Sequence, residues 1–306
     1  MTLIRQAAIK NNLRLRARII QAVRKFFIDL DYLEVETPCR VPAPAPEAHI
    51  DAQEAGDGYL QTSPELYMKR LLAAGYPRIF QMCRCFRRKE RGRRHLPELT
   101  LLEWYTAGHT YFDMMEQCED LIRFVAAQTG FGNALVYQGQ RIDLKAPWHR
   151  MPVSHAFDTY ADMSMQAALA SDRFDELMAD QIEPHLGRSK PLFLYDYPAS
   201  SVALAKLKPG DPSTAERFEL YIAGLELCNA FSELNDPIEQ RVRFEKEQEI
   251  RKLSGKKVYP MPETFLDTLA LMPEACGNAL GIDRMVMLLA DTSVIDDVVA
   301  FVPEEL

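Results

Sequence analysis

Seven cations, Arg84, Arg87, Arg88, Lys89, Arg91, Arg93 and Arg94, lead up to His95, and the segment that follows carries Glu103 two residues before Tyr105. The residues on either side of the cationic run alternate as strands do, which makes the run the tip of a hairpin. A basic tip beside a buried-looking acid is suited to holding a polyphosphate next to a cationic substrate. Activating a carboxylate with a nucleoside triphosphate asks for such parts. Cations neutralise the phosphates, carboxylates hold Mg²⁺, and a pocket sets the acid in line with the α-phosphorus. Little proton transfer is needed, so positioning and electrostatics supply most of the rate.

Arg87 ends the outgoing strand, where a guanidinium can take a phosphate through two parallel hydrogen bonds. Arg284 lies in the first turn of the last helix, just after Gly281. Taken singly, either arginine reads first as a surface ion pair, and the basic run as a solvated or nucleic-acid-facing patch. Glu219 and Glu226 flank Ala223-Gly224, so a hairpin would bring together two carboxylates of the kind Mg²⁺ prefers beside phosphate; spacing alone also fits exposed strand acids. Asn229, Phe231 and Glu233 share a face by period two and together suit an alkyl chain ending in an ammonium. Strict alternation puts Glu226 on the opposite face, so convergence requires a bulge near Leu227-Cys228.

The elements that must position these residues read as follows. Ile9, Leu13, Ala17, Ile20, Val23, Phe27 and Leu30 predict an amphipathic helix over 9–30. Leu33, Val35 and Thr37 then alternate as a short strand that Pro38 stops, and a loop carrying Pro42, Pro44 and Pro46 follows. Thr62 or Ser63 caps a helix with Pro64 in its first turn. Residues 79–87 and 98–105 form the basic hairpin, with Leu99, Leu101, Glu103 and Tyr105 on one face. Further helices are expected over 113–128, 171–186 and 239–253, the last as a solvated face. A hairpin is expected over 135–144 about Gln138-Gly139, a strand over 193–198, two strands over 218–234, and a glycine-bracketed strand-to-helix turn over 277–284. Antiparallel strands with flanking helices make the class α+β rather than a doubly wound βαβ fold.

Composition sets the bounds. The chain has 306 residues, 47% hydrophobic and 26% charged, enough for one large globular domain with a real core. A net charge of −8 argues against coating nucleic acid through bulk charge, so the local basic run has a local task. No apolar run approaches the roughly 18 residues of a membrane span, and the first residues carry no signal-peptide core, so a cytoplasmic protein is expected. The six cysteines lack zinc-site spacing and read as reduced, mostly buried thiols.

In their order along the chain these segments resemble the catalytic domain of class II aminoacyl-tRNA synthetases of the lysine subgroup. The long helix, strand and Pro38 are similar to that family's first motif, which builds its dimer interface. Phe86-Arg87 through Pro97-Glu98 to Tyr105 resembles the second, Gly277 to Arg284 the third, and Glu226 to Glu233 the lysine-specific segment. Within the subgroup the chain is most similar to free-standing paralogues. The first-motif helix starts almost at once, leaving no room for an N-terminal anticodon-binding barrel, and Ala279 stands where the tRNA enzymes usually carry glycine.

The resemblance implies an antiparallel sheet flanked by helices, with residues 1–306 as one catalytic domain. It implies ATP and Mg²⁺, a lysine-like amino acid as substrate, a protein acceptor (elongation factor P), and a homodimer through residues 9–38, with no membrane and no tRNA as partner. Arg87 and Arg284 would act on the phosphates, with His95, Lys89, Leu99, Leu220 and Gly281 also at the nucleotide. Glu219 and Glu226 would hold Mg²⁺. Ser63 and Glu65 would meet the backbone-side amino group. Glu103, Tyr105, Asn229, Phe231, Glu233 and Ala279 would line the lysine pocket, Glu233 pairing the terminal ammonium. Lys89 stands where the second motif usually has glutamate, with Glu90 one residue later; Leu96 replaces an asparagine, and Leu99 the phenylalanine that stacks on adenine. Two other readings stay open: a non-catalytic paralogue that binds lysine or a partner, and a minimal tRNA-charging synthetase.

Overall fold

The computed structural model describes residues 2–306. A short helix α1 (Thr2–Ala8), not expected from the sequence, leads into the predicted long helix, α2 (Lys10–Asp29), which turns Ile19, Val23, Phe26 and Phe27 inward. Strand β1 (Leu33–Glu34) is shorter than the run to Thr37: only these two residues pair, Val35 adds one backbone bond to Phe80, and Pro38 diverts the chain. β2 (Arg40–Val41), β3 (Glu54–Ala55) and β4 (Gly58–Leu60) form a small separate sheet. Helix α3 (Glu65–Ala73) opens after Pro64, which takes the cap position itself; the Ser63 hydroxyl still accepts the Glu65 amide, and Thr62 does not cap.

The basic hairpin is β5 (Arg78–Phe86) and β6 (Glu98–Ala107). α4 (Tyr111–Thr129) begins with a reciprocal Thr110–Asp113 capping box and ends at Gly130 in the left-handed region. β7 (Ala134–Tyr137) and β8 (Gln140–Asp143) form the expected small hairpin. Then come β9 (His149–Pro152), α5 (Val153–Tyr160), α6 (Met165–Ala170) and α7 (Phe174–Leu177). The helix predicted over 171–186 is broken: α7 passes into a π turn (Met178–Ile182) and a 3₁₀ turn (Glu183–His185) at Pro184, whose ring and missing N–H cannot continue an α-helix. β10 (Leu192–Pro198), β11 (Leu207–Lys208), β12 (Asp211–Ile222) and β13 (Leu225–Ser232) follow, then α8 (Pro237–Leu253), α9 (Glu263–Leu269), β14 (Ala275–Gly281) and α10 (Ile282–Leu289). α8 is not wholly a solvated face, because it buries Phe244 and Arg251.

Nine strands form one sheet in the order β1-β5-β6-β14-β13-β12-β10-β9, with β11 added beside β12. Pairing is antiparallel except at the two edges, β1 on β5 and β9 on β10. One face packs Phe80, Leu102, Trp104, Phe218, Leu220 and Leu280 against α2, α4 and α10, forming the main core. The other face is covered at one end by α3 and α9, through Leu66, Leu72, Phe265 and Leu269, and at the other by α5 and α7, through Val153, Phe157 and Leu177 on Leu192, Leu194 and Tyr221; the cleft lies between. Among the described residues no helix is long and apolar enough to cross a membrane.

Candidate active site

The register of four central strands assembles the site. Glu103 pairs with Ala279, Ala279 with Asn229, and Asn229 with Glu219. One step along, Tyr105 pairs with Gly277, Gly277 with Phe231, and Phe231 with Arg217. These two rows share one face because side chains two apart on a strand point the same way. The required bulge is present: Leu220 pairs with Cys228 but Tyr221 with Glu226, so Leu227 is the extra residue. It brings Glu226 to the face of Asn229 and Phe231. The β12–β13 turn is tight, with Ala223 and Gly224 at φ +56° and +71°, as the hairpin twist demands.

At one end lies a buried ionic cluster. Glu103 accepts from the Ser63 hydroxyl at 2.6 Å and from the Tyr105 hydroxyl at 3.0 Å. The Lys69 ammonium lies 2.5 Å from Glu65 Oε1 and 2.5 Å from Glu233 Oε2, over the Phe231 ring. Glu233 has no accessible surface, and neither of its oxygens has a hydrogen-bond partner; Oε2 is held by the ion pair alone. Burial, then the charge of Glu65, raises Glu103 to about 7 against the Ser63 and Tyr105 hydrogen bonds. Burial raises Glu233 to about 8 against the attraction of Lys69, with Glu65 and Glu103 adding to the rise. Burial disfavours the Lys69 ammonium, but Glu233 and then Glu65 outweigh it and hold it charged. Gly277 has no side chain for a packing reason: a Cβ there would run into the Tyr105 ring and Glu233 Oε1.

At the other end are the phosphate candidates. Arg87 is half-buried, its backbone N–H bonded to Pro97 at 2.8 Å. Arg284 donates to the Glu226 backbone carbonyl at 2.8 Å and to its carboxylate at 3.0 Å. A second Arg284 nitrogen lies 2.6 Å from His95 Nε2. Burial and then Arg284 lower the His95 pKa, so the ring is neutral near pH 7 and its Nε2 accepts from the guanidinium. The tip of the hairpin is pinned by Arg91, which reaches Asp296 and Glu304 at 2.8 Å each. Lys89 is exposed with φ +69°, and this left-handed residue swings Glu90 inward, 3.9 Å from Arg87. The structure therefore turns Glu90, not Lys89, toward the site. Leu96, in place of the usual asparagine, is buried in the core, and Leu99 is half-buried on the site face. Leu220 points away from the cleft, so only its backbone is on the nucleotide side. A cavity of about 690 Å³, lined by Arg93, Arg94, His95, Glu183, Arg188 and Gly224, opens beside this end.

Several residues of the site were not singled out from the sequence. Lys69 follows Glu65 by four residues, a spacing that reads as a surface pair. Arg217 bonds Asn229 at 3.0 Å, Glu219 at 2.5 Å and the Ser201 carbonyl at 3.1 Å. Tyr197 and Tyr221 both donate to Glu219 at 2.6 Å. Burial raises Glu219 against the pull of Arg217, and the charge of Glu226 adds to the rise. Glu183, brought in by the broken helix, is raised to about 7 by burial and then by Glu219 and Glu226. Glu47 comes from the proline loop, raised to about 7 by burial and then by Glu65. That loop is held by Arg251, which donates to the carbonyls of Glu47 at 2.8 Å and Ile50 at 2.9 Å. Among the described residues no three metal-ligating side chains gather tightly enough to hold an ion by themselves. The mutual repulsion of Glu219 and Glu226 fits a divalent cation whose remaining ligands are phosphate oxygens.

A mostly antiparallel sheet carrying phosphate-type arginines at one end of a cleft and buried carboxylates at the other defines the class. Residues 1–305 match the family of class II tRNA synthetases (D, K and N), and the chain belongs to that family. It is similar to the elongation factor P--(R)-beta-lysine ligase of Salmonella gallinarum (strain 287/91 / NCTC 13346), 38% identical over 320 residues covering 96% of this chain and 95% of that protein. Proteins of the same name from Salmonella dublin and Salmonella typhi are 38% identical over 318 residues, at the same coverage.

Proposed function

We propose that this protein is an ATP-dependent ligase that adenylates lysine or (R)-β-lysine and transfers it to a lysine side chain of elongation factor P. The charge count of the amino-acid end carries the reading. Two buried carboxylates, Glu103 and Glu233, and the partly exposed Glu65 share one ammonium, Lys69, which pairs with Glu65 and Glu233, so full ionisation of these four groups leaves two negative charges. A lysine-like amino acid brings two ammonium groups and a flexible alkyl chain, which matches that deficit and the Phe231 wall. Glu65 with Ser63 receives the backbone-side amino group. Glu233, whose Oε1 is buried without a partner, receives the terminal ammonium, and Asn229 and Tyr105 flank the chain. The Ala279 methyl, between Glu103 and Asn229, shapes the site where the position of the first amino group matters.

Arg87 orients the α-phosphate and Arg284, stacked along the base, the outer phosphate. His95 accepts from Arg284 and keeps it aimed. Glu90 takes the adenine amino group in place of the displaced motif glutamate, and Leu99 lies under the base. Glu219 and Glu226 would hold Mg²⁺, which would supply charge neutralisation on the phosphates. The substrate carboxylate oxygen attacks the α-phosphorus and pyrophosphate leaves. The acceptor amine then attacks the acyl carbon of the mixed anhydride, losing a proton, and AMP leaves. The same reading takes the chain as one catalytic domain working as a homodimer.

The test is pyrophosphate exchange with ATP, Mg²⁺ and a panel of amino acids, followed by mass spectrometry of elongation factor P. Exchange with (R)-β-lysine or lysine and a matching mass gain are expected. Absence of both overturns the proposal, and lysyl-tRNA as the product would replace the acceptor.

A further inference from the structure

Among the described residues Lys69 is the only buried lysine, and it lies in the innermost part of the site. Its ammonium touches Glu65 and Glu233 at 2.5 Å each and sits 5.1 Å above the centre of the Phe231 ring. Those are the carboxylates at the two amine-binding ends of the proposed pocket, so this inference rests on that reading. Two buried ionic contacts are expensive in desolvation and need close geometry to be retained. Glu233 is divided by the contact: Oε2 goes to Lys69, while Oε1 lies directly over Gly277 and beside the Tyr105 ring, with no partner.

We infer that Lys69 is a positioning and specificity-determining residue, whose ammonium ties Glu65 to Glu233 and so fixes the span between the two amine sites. The α3 backbone sets where Lys69 starts, and its four-carbon stem sets how far Glu233 is drawn toward Glu65. Glu233 Oε1 is thereby presented at one depth only. A substrate whose second ammonium lies at another depth, or is missing, leaves that buried oxygen unpaired.

Lys69→Met removes the ammonium while keeping the length of the side chain. The expected result is a KM for lysine raised by about 100-fold with a much smaller change in kcat. The preference for lysine over norleucine, which lacks the terminal ammonium, falls by at least about tenfold. The pH at which KM levels off also moves upward, because Glu233 loses its counter-charge. A packing role would lower stability but move neither the lysine-to-norleucine ratio nor the pH profile, and that result overturns the inference. If Lys69→Met does not fold, Lys69→Arg keeps the charge and changes the reach. It is expected to alter the ratio of exchange rates with ornithine and lysine, and an unchanged ratio overturns the inference. Wild-type enzyme that activates no lysine-like amino acid overturns this inference and the proposed function together. Normal lysine activation with an unaltered Lys69→Met profile overturns only this one.

Discussion

Burial raises the Glu103 carboxyl to about 7 and the Glu233 carboxyl to about 8. A dicationic amino acid binds the ionised forms, so binding must expel those protons. The sign follows: the KM for lysine falls as pH rises from about 6 to about 8.5, by about tenfold or more, while the KM for norleucine moves little. Calorimetry in buffers of different ionisation enthalpy should show protons released on binding at neutral pH. Stability runs the other way. Carboxylates with raised folded-state pKa values favour the folded state below the ordinary carboxylate range, and that contribution is lost as pH rises through about 7 and about 8. Bound lysine restores it, so the lysine-induced rise in Tm grows over the same interval. A flat KM with no proton release would mean that no ammonium binds close enough to Glu103 and Glu233 to ionise them. At this scale the sequence exposes Glu103, Asn229, Phe231 and Glu233 through period two alone. Lys69 stays hidden because a lysine four residues after a glutamate has the same spacing whether the pair is solvated or fully buried.

The β5–β6 hairpin shows how one backbone torsion re-aims a motif. Placing Lys89 at the nucleotide counts residues along the second motif from Arg87. The left-handed Lys89, at φ +69°, breaks that count and exchanges the two side chains. Lys89→Gly removes nothing that faces the site and suits the torsion, so ATP exchange should stay within about twofold of wild type. Glu90→Gln should raise the KM for ATP by about tenfold, the loss of one charge-assisted hydrogen bond, with the KM for lysine unchanged. The opposite ranking would restore Lys89 as the contact. The bulge at Leu227 is a complementary case, because its need was legible from Glu226 alone: a carboxylate on the wrong face is brought across by one extra residue. The broken helix before β10 was not legible in that way. Pro184 marks the break, but only tertiary packing carries Glu183 to Glu219 and Glu226.

On the scale of the molecule, β1 leaves one edge of the sheet open, and apolar side chains lie exposed around it: Ile28 at 60%, Leu33 at 50% and Tyr76 at 44%. An open strand edge with exposed apolar residues is the usual mark of a surface that another chain covers. The homodimer proposed above would place a second copy there. This surface is wired to the site through α2. Arg16 reaches Asp283 at 2.6 Å, and the other Asp283 oxygen accepts the Thr100 amide at 2.8 Å. Asp283 adjoins Arg284 in α10, and Thr100 lies on β6 three residues before Glu103. Asp283 thus links α2 to the start of α10, beside Arg284, and to β6, which carries Glu103. Ile28→Glu with Leu33→Glu should shift sedimentation from dimer to monomer at micromolar concentration. Because Asp283 adjoins Arg284, proposed above to act on the phosphates, kcat for pyrophosphate exchange should fall by about tenfold or more in the monomer, and high protein concentration should partly restore it. A wild-type chain that sediments as a monomer would refute the dimer, and a variant that becomes monomeric at full activity would refute the coupling through Asp283.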